Sequence, residues 1–275
     1  MPSKYQPQVS CWREDLHKGI YTTQLQLTNK KLRIINDDYC ELSRRLTGMR
    51  CLFRLIFIII YFICLLIAIS GLIIQIHAIF HFNKYKALFI FLFFLFLICN
   101  QILIQVFITT LLAPEDCPVR FNRKTGKVYI YDHFILYFGS WATFIRSPFK
   151  SKEISIKEFD WANIQGVVSS VSTPIPSGGI LRSYRIECLV CKPNTTIVVD
   201  HFILSIDNSL NYDEWMWLNS YMMFSDTNLN NELIIESGFE WFIKIKWPEE
   251  IDRKSKAGSV EAYLQIDAEY KEKNK

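Results

Sequence analysis

Leu55–Ile76 reads LIFIIIYFICLLIAISGLIIQI, and Ala87–Leu112 reads ALFIFLFFLFLICNQILIQVFITTLL. No charged residue lies between Arg54 and His77, and none between Lys86 and Glu115. A helix rises about 1.5 Å per residue, so about 20 residues cross the roughly 30 Å hydrocarbon layer of a bilayer. Both runs reach that length. Both are also apolar on every face, whereas a helix of a soluble core keeps a polar stripe. The stretch predicts a transmembrane hairpin over 51–112, with helices at about 55–78 and 87–112.

The remaining residues carry the charge, unevenly. Residues 1–54 hold 10 Lys/Arg against 5 Asp/Glu, and residues 113–275 hold 19 against 22. Nucleic-acid binding needs a concentrated basic face. The slightly acidic C-terminal part therefore argues against a nucleic-acid partner. The first 50 residues are polar and contain acids, so no secretory signal is expected there. Eight cysteines, two of them (Cys64 and Cys99) inside the apolar runs, do not space like a disulfide framework.

Basic residues beside membrane helices mark the cytoplasmic side. Arg44, Arg45, Arg50 and Arg54 precede the first run, and Arg120, Arg123, Lys124 and Lys127 follow the second. The turn over 77–86 holds only Lys84 and Lys86. Two crossings with both termini cytoplasmic are expected, which places the C-terminal thiols in a reducing compartment. The same eight cations are the candidate lipid-headgroup contacts, making the bilayer a first partner. Within the hairpin, Gln101 and Gln105 share a helix face. Antiparallel packing sets Gln105 at the depth of Tyr61 and Gln101 at that of Cys64, so Tyr61, Gln101 and Gln105 are the candidate interhelix polar contacts. A transport path would want ionisable residues at mid-membrane, and the runs hold none.

Outside the hairpin the pattern changes. Residues 1–50 form an N-terminal segment in which Ile20–Leu27 alternates as a strand and Asp37–Leu46 reads as a short amphipathic helix. Two prolines in Ala113–Pro118 (APEDCP) stop the second membrane helix. Residues 113–248 then read as a β-rich domain. Val119–Arg123 and Lys127–Tyr131 flank Lys124-Thr125-Gly126, a hairpin turn. Phe134–Phe138, Trp141–Ile145, Ile164–Val171, Ser183–Cys191, Thr195–Asp200 and Phe202–Ile206 extend the series of strands. Over Tyr212–Phe224, Trp215, Leu218 and Met222 fall on one helical face. Leu233–Lys246 alternates again, and 249–275 reads as a charged tail or frayed helix. The expected fold class is an α+β membrane protein. A two-helix hairpin precedes a mainly antiparallel β domain closed by a C-terminal helix, an arrangement resembling a pleckstrin-homology-like barrel. Phe121, Trp161, Trp215, Leu218 and Met222 are its candidate core.

Chemistry-bearing residues are few. Cys188 and Cys191 form a CxxC within a strand, where residues three apart face opposite ways; buried structural thiols are expected rather than a zinc or redox site. Asp132-His133 and Asp200-His201 are likewise split across strand faces. No nucleophile elbow, HExxH or phosphate loop is present. No catalytic residue, cofactor or metal is assigned.

Pro118–Tyr131 (PVRFNRKTGKVYIY), Trp161-Ala162-Asn163-Ile164, Val199-Asp200-His201-Phe202 and Trp215–Met222 (WMWLNSYM) together resemble an uncharacterised family of bacterial inner-membrane proteins. The resemblance spans residues 50–224. It implies a transmembrane hairpin joined to a cytoplasmic domain with an RFNR…KVY hairpin and a late W…YM helix. It further implies a role beside type VI or Rhs secretion systems, as an accessory or immunity protein whose protein partner is a secretion component or an effector toxin. The family brings no known catalytic residues. The expectation is a non-enzymatic, inner-membrane-anchored interaction domain. The alternatives are a membrane enzyme or toxin acting near the lipid interface with His133 or His201, and a lipid-sensing domain using the basic residues of the first hairpin.

Overall fold

The structure is a computed structural model that describes residues 2–19, 32–44, 51–81, 86–112, 116–133, 154–174, 178–207, 209–224 and 245–273. Two long helices, α1 (Cys51–His81) and α2 (Lys86–Leu112), pack as a hairpin. Both are long and apolar enough to cross a membrane. Their apolar side chains point outward, with Ile74 68% and Phe80 78% exposed, where a soluble core helix would bury them. Small residues line their contact: Ala68 and Ala78 are buried, and a Cβ added to Gly71 would stand 2.8 Å from the Phe96 ring. Close approach through small residues is how helices associate in lipid, where no hydrophobic drive separates them from the solvent.

Two polar side chains of the hairpin donate within their own helices. Ser70 Oγ donates to the Ile67 carbonyl (2.8 Å) and Asn100 Nδ2 to the Phe96 carbonyl (3.0 Å). Asn100 is the buried amide here, and Gln101 is exposed. Gln101, an expected interhelix contact, is turned outward, because a 100° step carries its side chain away from the face that buries Asn100. Tyr61 is half-buried; the Gln105 side chain lies outside the described residues.

Among the described residues, nine strands form two antiparallel sheets. They are β1 (Trp12–Asp15), β2 (Leu32–Ile35), β3 (Tyr39–Leu42), β4 (Val119–Asn122), β5 (Lys127–His133), β6 (Ile154–Asp160), β7 (Ile164–Pro174), β8 (Ile180–Cys191) and β9 (Val198–Asp207). Sheet 1 has the order β2-β3-β4-β5-β6 and sheet 2 the order β1-β7-β8-β9. A 3-10 turn at Trp161–Asn163 carries the chain from one sheet to the other. The sheets do not close into the expected barrel. Edges β6 and β9 meet through the Lys157–Asp200 ion pair (2.7 Å) instead of a shared ladder.

The N-terminal segment belongs to both sheets. β1 pairs with β7, and β3 pairs with β4 in the register Tyr39↔Asn122 to Leu42↔Val119. The helical hairpin is therefore an insertion between two neighbouring strands. The helix expected at 37–46 is replaced by a turn and β3. Asn36 Oδ1 accepts from the backbone N–H groups of Asp38 (2.9 Å) and Tyr39 (2.7 Å), an Asx-type turn that starts a strand.

Between the sheets lies the main core. Phe121, Val128 and Ile130 meet Ile164, Ile186, Cys188 and Phe202, and helix α3 (Asp213–Met222) closes one end with Trp215, Leu218 and Met222. Phe121 packs edge-on against Trp161 (5.9 Å), which meets Trp215 (5.7 Å). Gly166 leaves room for Trp215 against β7, since a Cβ there would fall 2.7 Å from the indole. Trp215 Nε1 donates to the His17 carbonyl (2.8 Å), so the indole is both buried and satisfied.

Outer faces are covered too. Tyr5, Val9 and Trp12 pack on sheet 2 over Val167, Leu189 and Cys191. Of the two readings of the charged C-terminal stretch, helix or tail, the helix holds: it forms α4 (Glu249–Ser255) and α5 (Val260–Lys273). With Ile245, Trp247 and Ile251, the first of these covers Tyr129, Tyr131 and Ile156 on sheet 1. The strands expected at Ile20–Leu27, Phe134–Phe138 and Trp141–Ile145 lie outside the described residues, as does most of Leu233–Lys246.

Candidate functional site

Strand β4 reads Val-Arg-Phe-Asn, and alternation sends Val119 and Phe121 into the core and Arg120 and Asn122 to the outer face. That outer face is not solvated: Arg120 is 2% and Asn122 0% exposed. Arg120 Nε and Nη2 donate to Glu41 Oε2 (3.0 and 2.7 Å) across the β3–β4 ladder. Nη1 donates to Asp252 Oδ1 (2.9 Å) and to Ser255 Oγ. The guanidinium also lies over the rings of Tyr39 (5.0 Å) and Trp247 (4.6 Å). Such double stacking with two carboxylates suits a planar, permanently charged group and would not suit Lys. Asn122 Nδ2 donates to the carbonyls of Ser255 (3.1 Å) and Ala257 (2.9 Å).

Glu41 is the junction. Its Oε2 also accepts from Trp247 Nε1 (3.2 Å), and its Oε1 pairs with Arg33 Nε (3.2 Å). Arg33 Nη1 reaches Asp116 Oδ2 (3.2 Å). Asp116 sits just after α2, and its Oδ1 accepts the backbone N–H of Arg44 (2.9 Å), a residue just before α1. Arg44 then donates to the carbonyls of Cys117 (2.7 Å) and Tyr131 (2.9 Å) and to Asp132 Oδ1 (2.9 Å). Lys157 continues from Asp132 (3.7 Å) to Asp200 (2.7 Å) on β9. One chain of charge thus runs from the C-terminal helix α4, through sheet 1, across both stalks of the helical hairpin, to the edge of sheet 2. Removing one member of such a buried pair costs about 3–5 kcal/mol, because the other charge is left unpaired.

Several expected headgroup cations are corrected by this geometry. Arg44, Arg120 and Arg123 are buried within the protein. Arg123 donates to the Asp37 carbonyl (2.7 Å) and pairs with its carboxylate, under the rings of Tyr221 and Phe224. Lys124 pairs with Asp37 (2.7 Å) and Lys127 with Asp160 (2.7 Å), at the end of β4 and β5 remote from the hairpin stalks. The reason is local: each of these basic residues pairs with an acid of the folded domain. Lys124, with Arg123, holds the Asp37 carboxyl below its usual value. Arg45, Arg50 and the Arg54 side chain lie outside the described residues.

The expected core residues Phe121, Trp161, Trp215, Leu218 and Met222 all sit in the inter-sheet cluster. Cys188 faces that cluster and Cys191 the opposite one. Burial raises the Cys117 thiol to about 12 and pushes Cys188 and Cys40 up as well. His133 is buried at the end of β5, beside an Asp132 committed to Arg44, whereas His201 is exposed on β9. Among the described residues, no three His, Cys, Asp or Glu side chains converge on a metal site.

The residues missed in the sequence were the acidic partners Glu41, Asp116 and Asp252 and the capping residues Trp247 and Ser255. One signal was present: Tyr129 and Tyr131 place large aromatics on the face of β5 opposite Val128 and Ile130. A strand that is apolar on both faces is covered on both.

A family model that includes this β4–β5 hairpin matches residues 94–241, more than half of the chain. The chain belongs to DUF6708, a family of unknown function. The DUF6708 match starts within α2 and ends ahead of Ile245, so it takes in strands β4–β9 and α3 and leaves the C-terminal cover outside. No curated protein and no solved structure matches the chain.

Proposed function

We propose that this DUF6708 protein is a non-catalytic binding module anchored in the bacterial inner membrane by α1 and α2, with its whole folded domain on the cytoplasmic side. One observation carries the reading. The hairpin is inserted between the paired strands β3 and β4, and its stalks are tied together through Arg44 and Asp116. Both stalks therefore emerge on the same side of the bilayer, which two crossings require. The basic excess around the stalks favours the cytoplasm as that side, and the buried free thiols Cys40, Cys117 and Cys188 suit a reducing compartment. The titratable groups nearest the stalks serve one another as ion pairs, the pattern of a structural coupling rather than of an acid–base centre.

The partner in this reading is a component or effector of a type VI or Rhs contact-dependent system, with protection against a toxin as one form of the role. Reporter fusions test the anchor. A fusion in the turn between α1 and α2 is expected to report the periplasm and one at the C-terminus the cytoplasm; a periplasmic C-terminus would refute it. Expression in a sensitive neighbour, challenged by the toxin-bearing strain, tests protection. Survival no better than that of the empty host removes the immunity role.

A further inference from the structure

The outer face of sheet 1 is built like a recognition site. Its polar atoms are pre-positioned: Arg120 is fixed by Glu41 on the neighbouring strand, and Asn122 by accepting the Thr125 backbone N–H (2.9 Å). Toward the C-terminal segment these groups present a cation for Asp252, a hydroxyl contact for Ser255, an amide for two backbone carbonyls, and a carboxylate for the Trp247 indole. Two of the contacts read main-chain carbonyls at the end of α4, so any helical turn ending in the same way satisfies them. Tyr131 and Ile156 supply the apolar floor beneath Trp247 and Ile251.

The resident segment fits imperfectly. Tyr129 is fully buried under it, yet its hydroxyl meets no hydrogen-bond partner among the described residues. A buried donor without an acceptor weighs against the bound state. Beyond Ala257, α5 buries no residue and is held by polar contacts alone: the Tyr263 hydroxyl donates to Glu158 Oε1 on β6 (2.7 Å), Lys127 lies over the Tyr263 ring (5.4 Å), and Asp267 pairs with Lys254 of α4 (2.7 Å). The receptor strands β4 and β5 fall within the DUF6708 match and the segment that covers them does not.

We propose that this face is a peptide-receptor groove for a partner protein's segment presenting an aromatic side chain followed by an acidic helical turn, and that Trp247–Ala257 occupies it in cis until such a segment replaces it. The proposal deepens the binding-module reading by naming the partner's chemistry, and rests on it only for the partner being a protein. Exchange would be felt at the membrane. Trp247 and Asp252 hold Glu41 and Arg120, and Glu41 continues through Arg33 to Asp116 at the α2 stalk.

The test uses the full chain in detergent, with a sequence-specific protease site inserted after Asn231. After cleavage, a fluorescent peptide of residues 245–273 is expected to exchange with the resident segment, read by anisotropy. Asp252→Asn and Trp247→Ala are placed in the peptide, where they cannot unfold the receptor. Each should weaken binding about ten-fold, the scale of a charge-assisted hydrogen bond. Tyr129→Phe in the receptor should strengthen binding about five-fold, by removing the orphan hydroxyl. Unrelated peptides carrying the Trp-Pro-acidic pattern should compete, and scrambled ones should not.

The proposal is overturned by a cleaved segment that does not exchange, by aggregation of the receptor once the segment leaves, or by Tyr129→Phe leaving affinity unchanged or lower. Failure of the pattern-bearing competitors also overturns it. Differently tagged copies that co-purify through swapped segments, with no competitor needed, overturn the partner assignment in favour of a second copy. None of these readouts depends on membrane sidedness or on secretion, so their failure is separable from failure of the anchor.

Discussion

The two faces of β4 are buried to the same degree by opposite means. Inward, Val119 and Phe121 meet an apolar core that needs only volume and shape. Outward, Arg120 and Asn122 are as fully buried, but each polar atom requires a named partner at a fixed distance. The first face tolerates many sequences, whereas the second tolerates few and says what must lie against it. Alternation of apolar and polar residues ordinarily separates core from solvent. In β4 it separates a core from an interface.

Substitution on the two faces tests that equivalence most strongly. Phe121→Ala is expected to cost about 3–5 kcal/mol through the cavity it leaves. Arg120→Ala should cost a similar 3–5 kcal/mol by stranding Glu41. Denaturant titration of the detergent-solubilised protein checks both. A cost for Arg120→Ala within about 0.5 kcal/mol, as for an ordinary surface residue, would return the outer face to solvent.

The hairpin offers the next contrast. Gly71→Val pushes a side chain into Phe96 and should destabilise α1–α2 packing by about 1–3 kcal/mol. Ile74→Val, on the outward surface, should be nearly silent. Equal effects at the two positions would mean that the helices do not cross as described.

Acid–base behaviour distinguishes the core face from the polar chain. Burial raises the folded-state pKa values of Cys40, Cys117 and Cys188 above the ordinary thiol value of 9.0. Their contribution to stability is complete below pH 9 and is lost as pH rises toward the folded values. The slope is about 1.4 kcal/mol per thiol per pH unit. Lys18 opposes it. Burial lowers this amine from 10.5 to about 8, so its charged form weighs on the fold below pH 8, and that burden lifts between pH 8 and 10.5. Three thiols outweigh one amine, and melting temperature should fall above pH 9. Cys117→Ser is expected to reduce the slope.

The smallest effect belongs at the rim. Lys124→Ala breaks an exposed pair with Asp37, whose side chain is 68% exposed, and should cost under about 1 kcal/mol.

These contrasts also explain what the sequence could and could not disclose. Length and uniform apolarity made α1 and α2 legible, and the Lys124-Thr125-Gly126 turn made β4–β5 legible because Gly126 takes φ +66° there. Trp215, Leu218 and Met222 were legible by helical spacing. Illegible were the pairings that bring distant segments together. Nothing local says that Glu41 meets Arg120, or that Asp252 leaves a charged stretch to reach β4. Basic residues beside a membrane helix read as lipid contacts until the acids on adjacent strands are placed. β3 resembled a helix because Leu42 and Leu46 are four apart, and the Asn36 turn overrides that spacing.

The central claim is that the outer face of sheet 1 is a closed interface under the C-terminal segment. Single cysteines at adjacent positions measure it directly, in native membranes, with thiol labelling read site by site by mass spectrometry. Ser255 is 0% exposed, whereas the Lys256 side chain is 43% exposed. Ser255→Cys should resist labelling under conditions in which Lys256→Cys reacts to completion. Equal labelling rates at the two positions would contradict the account.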